Sequence, residues 1–491
     1  MEDAYKHATK NLNGRLIAPY QREGVIWLLW REFADSGPKG GFLSDEMGLG
    51  KTIQLIATIL GNPKSKTLIV VPKSIVNQWA SEIKTFAPQL KVLIHDGPDR
   101  TRDPMDFAPY QVILTPYSLL TIKGKPKGTP TIFHRIRWDR IILDEGHEIR
   151  NGSSKTSQSA CTLTSNIKWI VSGTPVYNSI KDFVNLCKFL GIHKSRVQGF
   201  TQEIRNTYVL RRTKEDVSEF NKRLELPPCD FQLTELDMYP EEKELYEENF
   251  KLYQKIVAKI FATTDKAHMH MMLMLECLLR CRQLMTHPQL FMNGIARKDD
   301  TDAPDPDLWG GRNRKTEVLL DMVKTHPDEK AIIFSQFVEE MEILHEMFME
   351  NSIKVFRLDS SVSASREFQI QSFKKCTKHC VFLIQIKSGG QGLNLQEATR
   401  VYITSPCWNP ATELQAIARS HRTGQTEKVT VRKLIYKGYE DLPSIDESIM
   451  KLQDHKSSIC AEVLNDKRII NNLPKKTSIS IKDLKNIFQV S

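Results

Sequence analysis

Gly41-Phe42-Leu43-Ser44-Asp45-Glu46-Met47-Gly48-Leu49-Gly50-Lys51-Thr52 decides how the rest of the chain is read. Gly48 and Gly50 permit a tight turn with bare backbone N–H groups, Lys51 supplies a cation that reaches phosphate oxygens, and Thr52 supplies a hydroxyl suited to Mg²⁺. This is chemistry for holding a nucleoside triphosphate. Apolar residues then recur at Ile53, Ile56, Ala57 and Leu60, the spacing of a helix, so the loop opens into a positive helix N-terminus that stabilises phosphate charge. The strict phosphate-loop pattern asks for glycine where this chain has Asp45, and an ordinary glycine-rich turn would look the same in this stretch alone.

The chain has 491 residues, enough for several domains that each bury a sizeable core. Lysine and arginine number 69 against 59 acidic residues, a net charge of +10, which leans toward a polyanionic partner. No charged-then-apolar leader follows Met1-Glu2-Asp3-Ala4 and no apolar run is long enough to span a bilayer, so a soluble intracellular protein without a membrane partner is expected. The nine cysteines are scattered and odd in number, which predicts reduced thiols. Cys277 with Cys281, and Cys376 with Cys380 beside His379, are spaced i, i+4, but neither pair meets a second pair, so buried inert thiols are expected and structural zinc is not.

Ahead of the phosphate loop, Leu16 to Val25 runs into Trp27, Leu28 and Trp30, a helix starting after Pro19. Gln21 offers a paired donor and acceptor that match an adenine edge, although a solvent-facing glutamine has the same sequence. Beyond the loop, Thr67 to Pro72, Lys91 to His95, Val112 to Thr115, Arg140 to Leu143 and Lys168 to Val171 read as strands alternating with helices, which predicts an α/β fold with a parallel sheet covered on both faces. The strand at Arg140 ends on Asp144-Glu145-Gly146-His147. Acidic residues at a strand's carboxyl end suit Mg²⁺ held by Asp144 and a water oriented by Glu145; a solvated acidic turn is the alternative. Ser172-Gly173-Thr174-Pro175 forms a hydroxyl-bearing turn at the same edge.

Helical material continues to Leu210-Arg211-Arg212-Thr213-Lys214, and Leu226-Pro227-Pro228 breaks it, so a first domain over 1–230 is expected. Residues 231–311 read as a helical protrusion and linker, with the methionines of His268 to Met274 serving adaptable core packing and Asp299 to Gly311 as the linker. A second α/β unit over 312–455 has strands at Ala331 to Phe334, Lys354 to Leu358, Val381 to Gln385, Arg400 to Thr404 and Lys428 to Ile435, and 456–491 forms a helical tail. Instead of a second phosphate loop, this unit carries Lys387 to Asn394 and Gln415 to Gln425. Arg419 and Arg422 read as one helical turn apart, able to clamp a γ-phosphate across a cleft, a contribution of about three to five orders of magnitude in phosphoryl transfer. A solvated basic face is the alternative.

In this order, from about Leu16 to Phe488, the segments resemble the SWI/SNF-like ATPases of helicase superfamily two. The resemblance implies two RecA-like lobes, with parallel sheets flanked by helices and helical protrusions between them. It puts Gln21 in the adenine-reading motif and Asp45, Glu46, Met47, Gly48, Leu49, Gly50, Lys51 and Thr52 in the phosphate loop, where the family too carries aspartate. Asp144 and Glu145 match the magnesium and water-activating carboxylates, Ser172 to Thr174 the coupling motif, Gly389 to Asn394 with Gly392 the fifth motif, and Gln415, Arg419 and Arg422 the sixth. ATP and Mg²⁺ are the implied cofactors. Gly146 replaces the commoner alanine, Ala418 stands where aspartate is frequent, and the run Leu143 to Asn151 is similar to the branch of helicase-like transcription factor and transcription termination factor two. The interval near 290–315 lacks the cysteines of that branch's RING, and the absence of reader domains resembles the global transactivators of baculoviruses.

The resemblance implies a nuclear, DNA-dependent ATPase that moves along duplex DNA to remodel chromatin or displace bound proteins in transcription regulation, acting in the host nucleus if viral, with nucleosomes or DNA-bound complexes as partners. Lys73, Tyr117, Arg366 and Lys387 are the DNA contacts by motif position, held by salt-dependent phosphate interactions. Lys475-Lys476 serves nuclear import or is solvated charge. Two other classes fit the same fold: a strand-separating DNA or RNA helicase, and a non-catalytic DNA-binding regulator. Lys51→Ala and Arg422→Ala are each expected to abolish DNA-stimulated phosphate release with the circular dichroism spectrum unchanged; near-normal turnover in either variant refutes the assignment.

Overall fold

The apolar runs around the phosphate loop form strands because each is too short and too β-branched to make a buried helix, and they pair in parallel because helices intervene. The computed structural model describes residues 2–16, 18–122, 130–173, 180–199, 201–213, 216–217, 227–263, 270–299, 308–359, 366–377, 379–386, 393–422, 425–453 and 481–490. Two compact units lie chiefly within Met1–Glu225 and Leu226–Ser457.

In the first unit, α1 (Glu2–Asn11) and α2 (Pro19–Glu32) precede β1 (Lys39–Leu43), α3 (Lys51–Gly61), β2 (Thr67–Val71), α4 (Val76–Phe86), β3 (Val92–Ile94), β4 (Val112–Pro116) and β5 (Trp138–Asp144). Then follow α5 (Lys155–Cys161), β6 (Ser165–Val171), α6 (Ile180–Phe189), α7 (Lys194–Gly199), α8 (Thr201–Tyr208) and β7 (Val209–Leu210). The strands form one sheet in the order β3-β4-β2-β5-β6-β1-β7, and among the described residues they pair in parallel throughout. Alternate residues of β2 serve opposite faces. Leu68 and Val70 join Phe183 and Phe189 in one core, while Ile69 and Val71 join Leu28, Leu55 and Trp79 in the other.

Under the second of these faces lies a fully buried ion pair. Arg140 donates from Nε to Glu32 Oε1 at 2.6 Å, and from Nη2 to the Asn62 carbonyl at 2.7 Å. Glu32 also accepts from the Trp169 indole at 2.9 Å and the Asn62 amide at 2.7 Å. With every acceptor satisfied, the pair fixes α2 against β5 and β6.

The second unit opens with β8 (Cys229–Leu236), followed by α9 (Pro240–Thr263), α10 (Met271–Thr286), α11 (Pro288–Asp299), α12 (Arg314–Lys324), β9 (Ala331–Ser335) and α13 (Val338–Glu350). It continues with β10 (Lys354–Leu358), α14 (Arg366–Lys375), β11 (Cys380–Gln385), β12 (Arg400–Ile403), α15 (Pro410–Ile417) and β13 (Val429–Tyr436). Its sheet runs β10-β11-β9-β12-β13-β8, again paired in parallel throughout among the described residues. The segment after Pro228, expected to lead straight into helices, is instead the edge strand β8, paired along its length with β13. A boundary near 230 therefore falls inside a strand: Cys229, Phe231 and Leu233 alternate with polar residues there, and Phe231 and Leu233 stand exposed on an edge strand.

Helices α9 and α10 pack onto this sheet: Phe250, Val257, Met274, Cys277 and Cys281 share a core with Ile333, Leu383 and Leu434. Met274 belongs to that core, whereas Met272 is exposed, so only part of the methionine stretch packs inward; residues 264–269 lie outside the described residues. None of the described cysteines is in a disulfide, and burial pushes the Cys380 thiol up to about 12. Among the described residues no helix is long and apolar enough to cross a membrane.

Arg140→Met is expected to lower stability by about 3–5 kcal/mol in urea unfolding, because it strands the Glu32 carboxylate without its cation. The Glu32→Leu/Arg140→Met pair should lose less than that single change.

Candidate nucleotide-binding site

In a parallel sheet with right-handed crossovers, every strand delivers the residue that follows it to the same edge. Val171 at the end of β6 stands opposite Leu43 of β1 on one side and Asp144 of β5 on the other. The phosphate loop, the Ser172-Gly173 turn and the Asp144-Glu145 carboxylates thus leave the sheet at one level.

Gly48 and Gly50 adopt φ of 92° and 75°, the left-handed region that glycine occupies without strain. Gly50 caps α3 with no side-chain hydrogen bond, so the first N–H groups of the helix have no cap from a side chain. Gln21 is buried against the loop, and its amide donates to the Leu49 carbonyl at 3.4 Å. A Cβ on Gly50 would stand 2.6 Å from that amide nitrogen. Lys51 and Thr52, half-buried, are the first residues of α3. Lys51 Nζ donates to the carbonyls of Asp45 at 2.8 Å and Glu46 at 3.3 Å. Burial lowers the Lys51 pKa, while the charges of Glu145, Asp45 and Asp144 oppose that shift.

The Asp45 carboxylate, fully buried, is occupied elsewhere. It accepts the Arg212 backbone N–H at 3.1 Å and Arg212 Nε at 3.0 Å, and pairs with Arg212 Nη2. Arg212 also donates to Gln54 Oε1 at 2.9 Å and to the Tyr20 carbonyl. Gly24 leaves the room: a Cβ there would stand 1.9 Å from Gln54 Oε1. The aspartate that breaks the strict loop pattern therefore anchors the loop to the end of the sheet, and its backbone carbonyl is what faces Lys51. Beside it, Arg211 Nη1 bridges the carbonyls of Ser44 and Gly173, both at 2.8 Å. Neither arginine was singled out from sequence; only their adjacency after β7 marked them.

Asp144 accepts the Trp79 indole N–H at Oδ2, 2.7 Å, and the Glu145 N–H at Oδ1, 2.9 Å. Burial, then the neighbouring Glu145 charge, pushes its pKa up to about 6. Glu145 sits at φ 48°, strained for a residue with a side chain. His147, buried, lies with Nδ1 3.3 Å from Glu145 Oε2 and 3.2 Å from Ser172 Oγ, so the turn after β6 is linked to the second carboxylate through one ring. Gly146, where alanine is commoner, fits because a Cβ would stand 2.6 Å from Ile170 Cγ2. Tyr117, expected at a DNA backbone, is 6% exposed and donates its hydroxyl to the Asp144 carbonyl at 2.8 Å. It has no hydroxyl to offer a nucleic acid; what it does is hold Asp144. Lys73 is exposed, at the turn Lys73–Ile75 that leads into α4.

The donor set fits Mg²⁺. With Asp45 neutralised by Arg212, Lys51 faces the carboxylates of Asp144 and Glu145, a surplus of negative charge. Mg²⁺ takes one or two carboxylates and otherwise phosphate and water oxygens, which is the chemistry that Asp144 and the Thr52 hydroxyl offer.

In the second unit, α15 ends at Ile417 and holds the half-buried Gln415. Arg419 and Arg422 were expected on a continuing helix but lie in the turn beyond it, because Ser420 Oγ donates to the Ala398 carbonyl and the Leu395 N–H donates to the Arg419 carbonyl at 3.0 Å. Arg419 is buried, and Arg422 is half-buried with Nη1 3.3 Å from the Leu393 carbonyl. Arg366 begins α14, half-buried. Lys387, Gly389, Gly392, Thr174, Pro175, Lys475 and Lys476 lie outside the described residues.

Residues 20–290 match the SNF2-related domain family, and residues 314–424 match the helicase conserved C-terminal domain family. The chain belongs to the SNF2-related family, a group of helicase-like, ATP-dependent enzymes. It is 27% identical to the DNA repair protein RAD5B of Arabidopsis thaliana, covering 92% of this chain and 47% of that one. It is also 27% identical to the "Probable global transactivator" of Orgyia pseudotsugata multicapsid polyhedrosis virus, covering 96% of this chain and 94% of that one, as the compact form suggested. The SWI2/SNF2 ATPase core of Sulfolobus solfataricus in complex with dsDNA is 24% identical over 98% of both chains, but a TM-score of 0.40 adds nothing to the assignment. The chain thus spans about half the length of RAD5B and nearly all of the viral relative.

Gly50→Ala forces a side chain into left-handed backbone, costing about 1–2 kcal/mol, and displaces Gln21. Affinity for an ATP analogue, measured by equilibrium titration, should fall about tenfold or more without loss of the folded baseline.

Proposed function

We propose that the chain is a DNA-dependent ATPase that translocates on double-stranded DNA and thereby remodels chromatin or displaces bound proteins, in the nucleus and in the service of transcription. The observation that carries this is the convergence of Lys51, Asp144 and Glu145 at one sheet edge in a member of the SNF2-related family.

The N–H groups of Gly48 to Thr52 wrap the phosphates, and Lys51 exchanges its loop carbonyls for phosphate oxygens. Gln21, already against the loop, meets the adenine edge. Asp144 and the Thr52 hydroxyl hold Mg²⁺, which when bound neutralises charge on the β- and γ-phosphates. Glu145 orients the attacking water, and its contact with His147, whose ring also reaches Ser172, lets the turn after β6 sense the state of the site. Gln415, Gly392, Arg419 and Arg422 of the second unit are the further residues that we assign to nucleotide handling. Lys73, Arg366 and Lys387 meet the DNA backbone, in keeping with the net charge of +10. The repair and chromatin-remodeling names of relatives such as RAD5B and CHR7 of Arabidopsis thaliana support a chromatin substrate.

Phosphate release measured in parallel with duplex DNA, single-stranded DNA, RNA and nucleosomes tests this. Duplex and nucleosomal DNA should stimulate most, with stimulation falling steeply as salt rises. Preference for single strands or RNA would favour a strand-separating helicase, and no turnover with any substrate would favour a non-catalytic regulator.

A further inference from the structure

The group that fixes the orientation of Asp144 comes from neither the phosphate loop nor the strand that carries it. Trp79 lies in α4, 2% exposed, packed in the core that contains Ile69, Val71 and Leu114. Its indole N–H donates to Asp144 Oδ2 at 2.7 Å, a charge-assisted length when the carboxylate is ionised. The other oxygen takes the Glu145 N–H at 2.9 Å, and Tyr117 clamps the Asp144 carbonyl at 2.8 Å. An indole N–H donates only and does not titrate, and here the surrounding core prevents the ring from turning away. A ring this buried packs equally well without its nitrogen, so the hydrogen bond is separable from the packing.

We infer that Trp79 is a positioning residue for Asp144, holding the carboxylate plane fixed so that Mg²⁺ meets a preoriented acceptor. This rests on the assignment of Asp144 as the magnesium carboxylate. Outer partners of metal-binding carboxylates typically account for about 10–100-fold in metal affinity.

Trp79→Phe keeps an aromatic ring in the core and removes the donor together with the volume of one fused ring, so binding of the analogue without Mg²⁺ serves as the control for packing. Equilibrium binding of a non-hydrolysable fluorescent ATP analogue, titrated with Mg²⁺ on the full chain, separates metal from nucleotide. The variant should bind the analogue normally without Mg²⁺ and need about tenfold more Mg²⁺ for half-maximal tightening. An unchanged Mg²⁺ requirement, with the unmutated chain showing clear Mg²⁺-dependent tightening, overturns the role of Trp79 alone. Absence of that tightening in the unmutated chain overturns the magnesium assignment and this inference with it. Should the variant fail to fold, ¹⁵N-indole spectra of the unmutated, nucleotide-bound chain decide. Of its seven tryptophans, one indole signal should shift on adding Mg²⁺, while that of Trp138, whose N–H donates to the Phe133 carbonyl, stays in place. If every indole signal stays, the inference is refuted.

Discussion

A lysine ammonium drawn into a loop needs oxygen on several sides, and Lys51 finds it in the carbonyls of Asp45 and Glu46. That arrangement holds the loop in shape from within its own backbone. It is also exchangeable, because phosphate oxygens offer the same cation more negative charge than two carbonyls do. The loop stays folded around a charge it can release, provided that its backbone is anchored from behind. Asp45, Arg212 and Gln54 form that anchor, buried under α2 where Gly24 makes space.

The parallel sheet does the remaining assembly. Because β1, β6 and β5 are neighbours in register, their carboxyl ends bring loop, turn and carboxylates together without any long connection having to be ordered for the purpose. Three unlike side chains then tune the result: Trp79 and Tyr117 hold Asp144 at its carboxylate and its carbonyl, and His147 joins Glu145 to Ser172. Each comes from a different part of the chain, and each bond would be lost if the sheet order changed.

What could be read from sequence was local. The phosphate loop, β2 to β6 with the residues on their carboxyl edge, and β9 to β13 of the second unit are contiguous patterns, and they stand where apolar runs and turn residues placed them, whereas β1 and β7 went unread. What could not be read depended on partners far away along the chain. Asp45 looked like a ligand to nucleotide because Arg212 lies 167 positions off. Tyr117 looked exposed because nothing in its neighbours records the Asp144 carbonyl above it. The turn that carries Arg419 and Arg422 was taken for helix because α15 ends on a bond from Ser420 to Ala398 rather than on a local breaker. The edge strand β8 was missed although Cys229, Phe231 and Leu233 alternate with polar residues, because the run follows directly on Leu226-Pro227-Pro228 and its partner β13 lies about 200 positions further on.

The most direct measurement is a crystal structure of the chain with Mg²⁺ and ADP. Lys51 Nζ should have left the carbonyls of Asp45 and Glu46 for a β-phosphate oxygen, with Asp144 facing the ion and the Asp45–Arg212 pair unmoved. A nucleotide bound elsewhere, with Lys51 still holding those two carbonyls, would contradict the account.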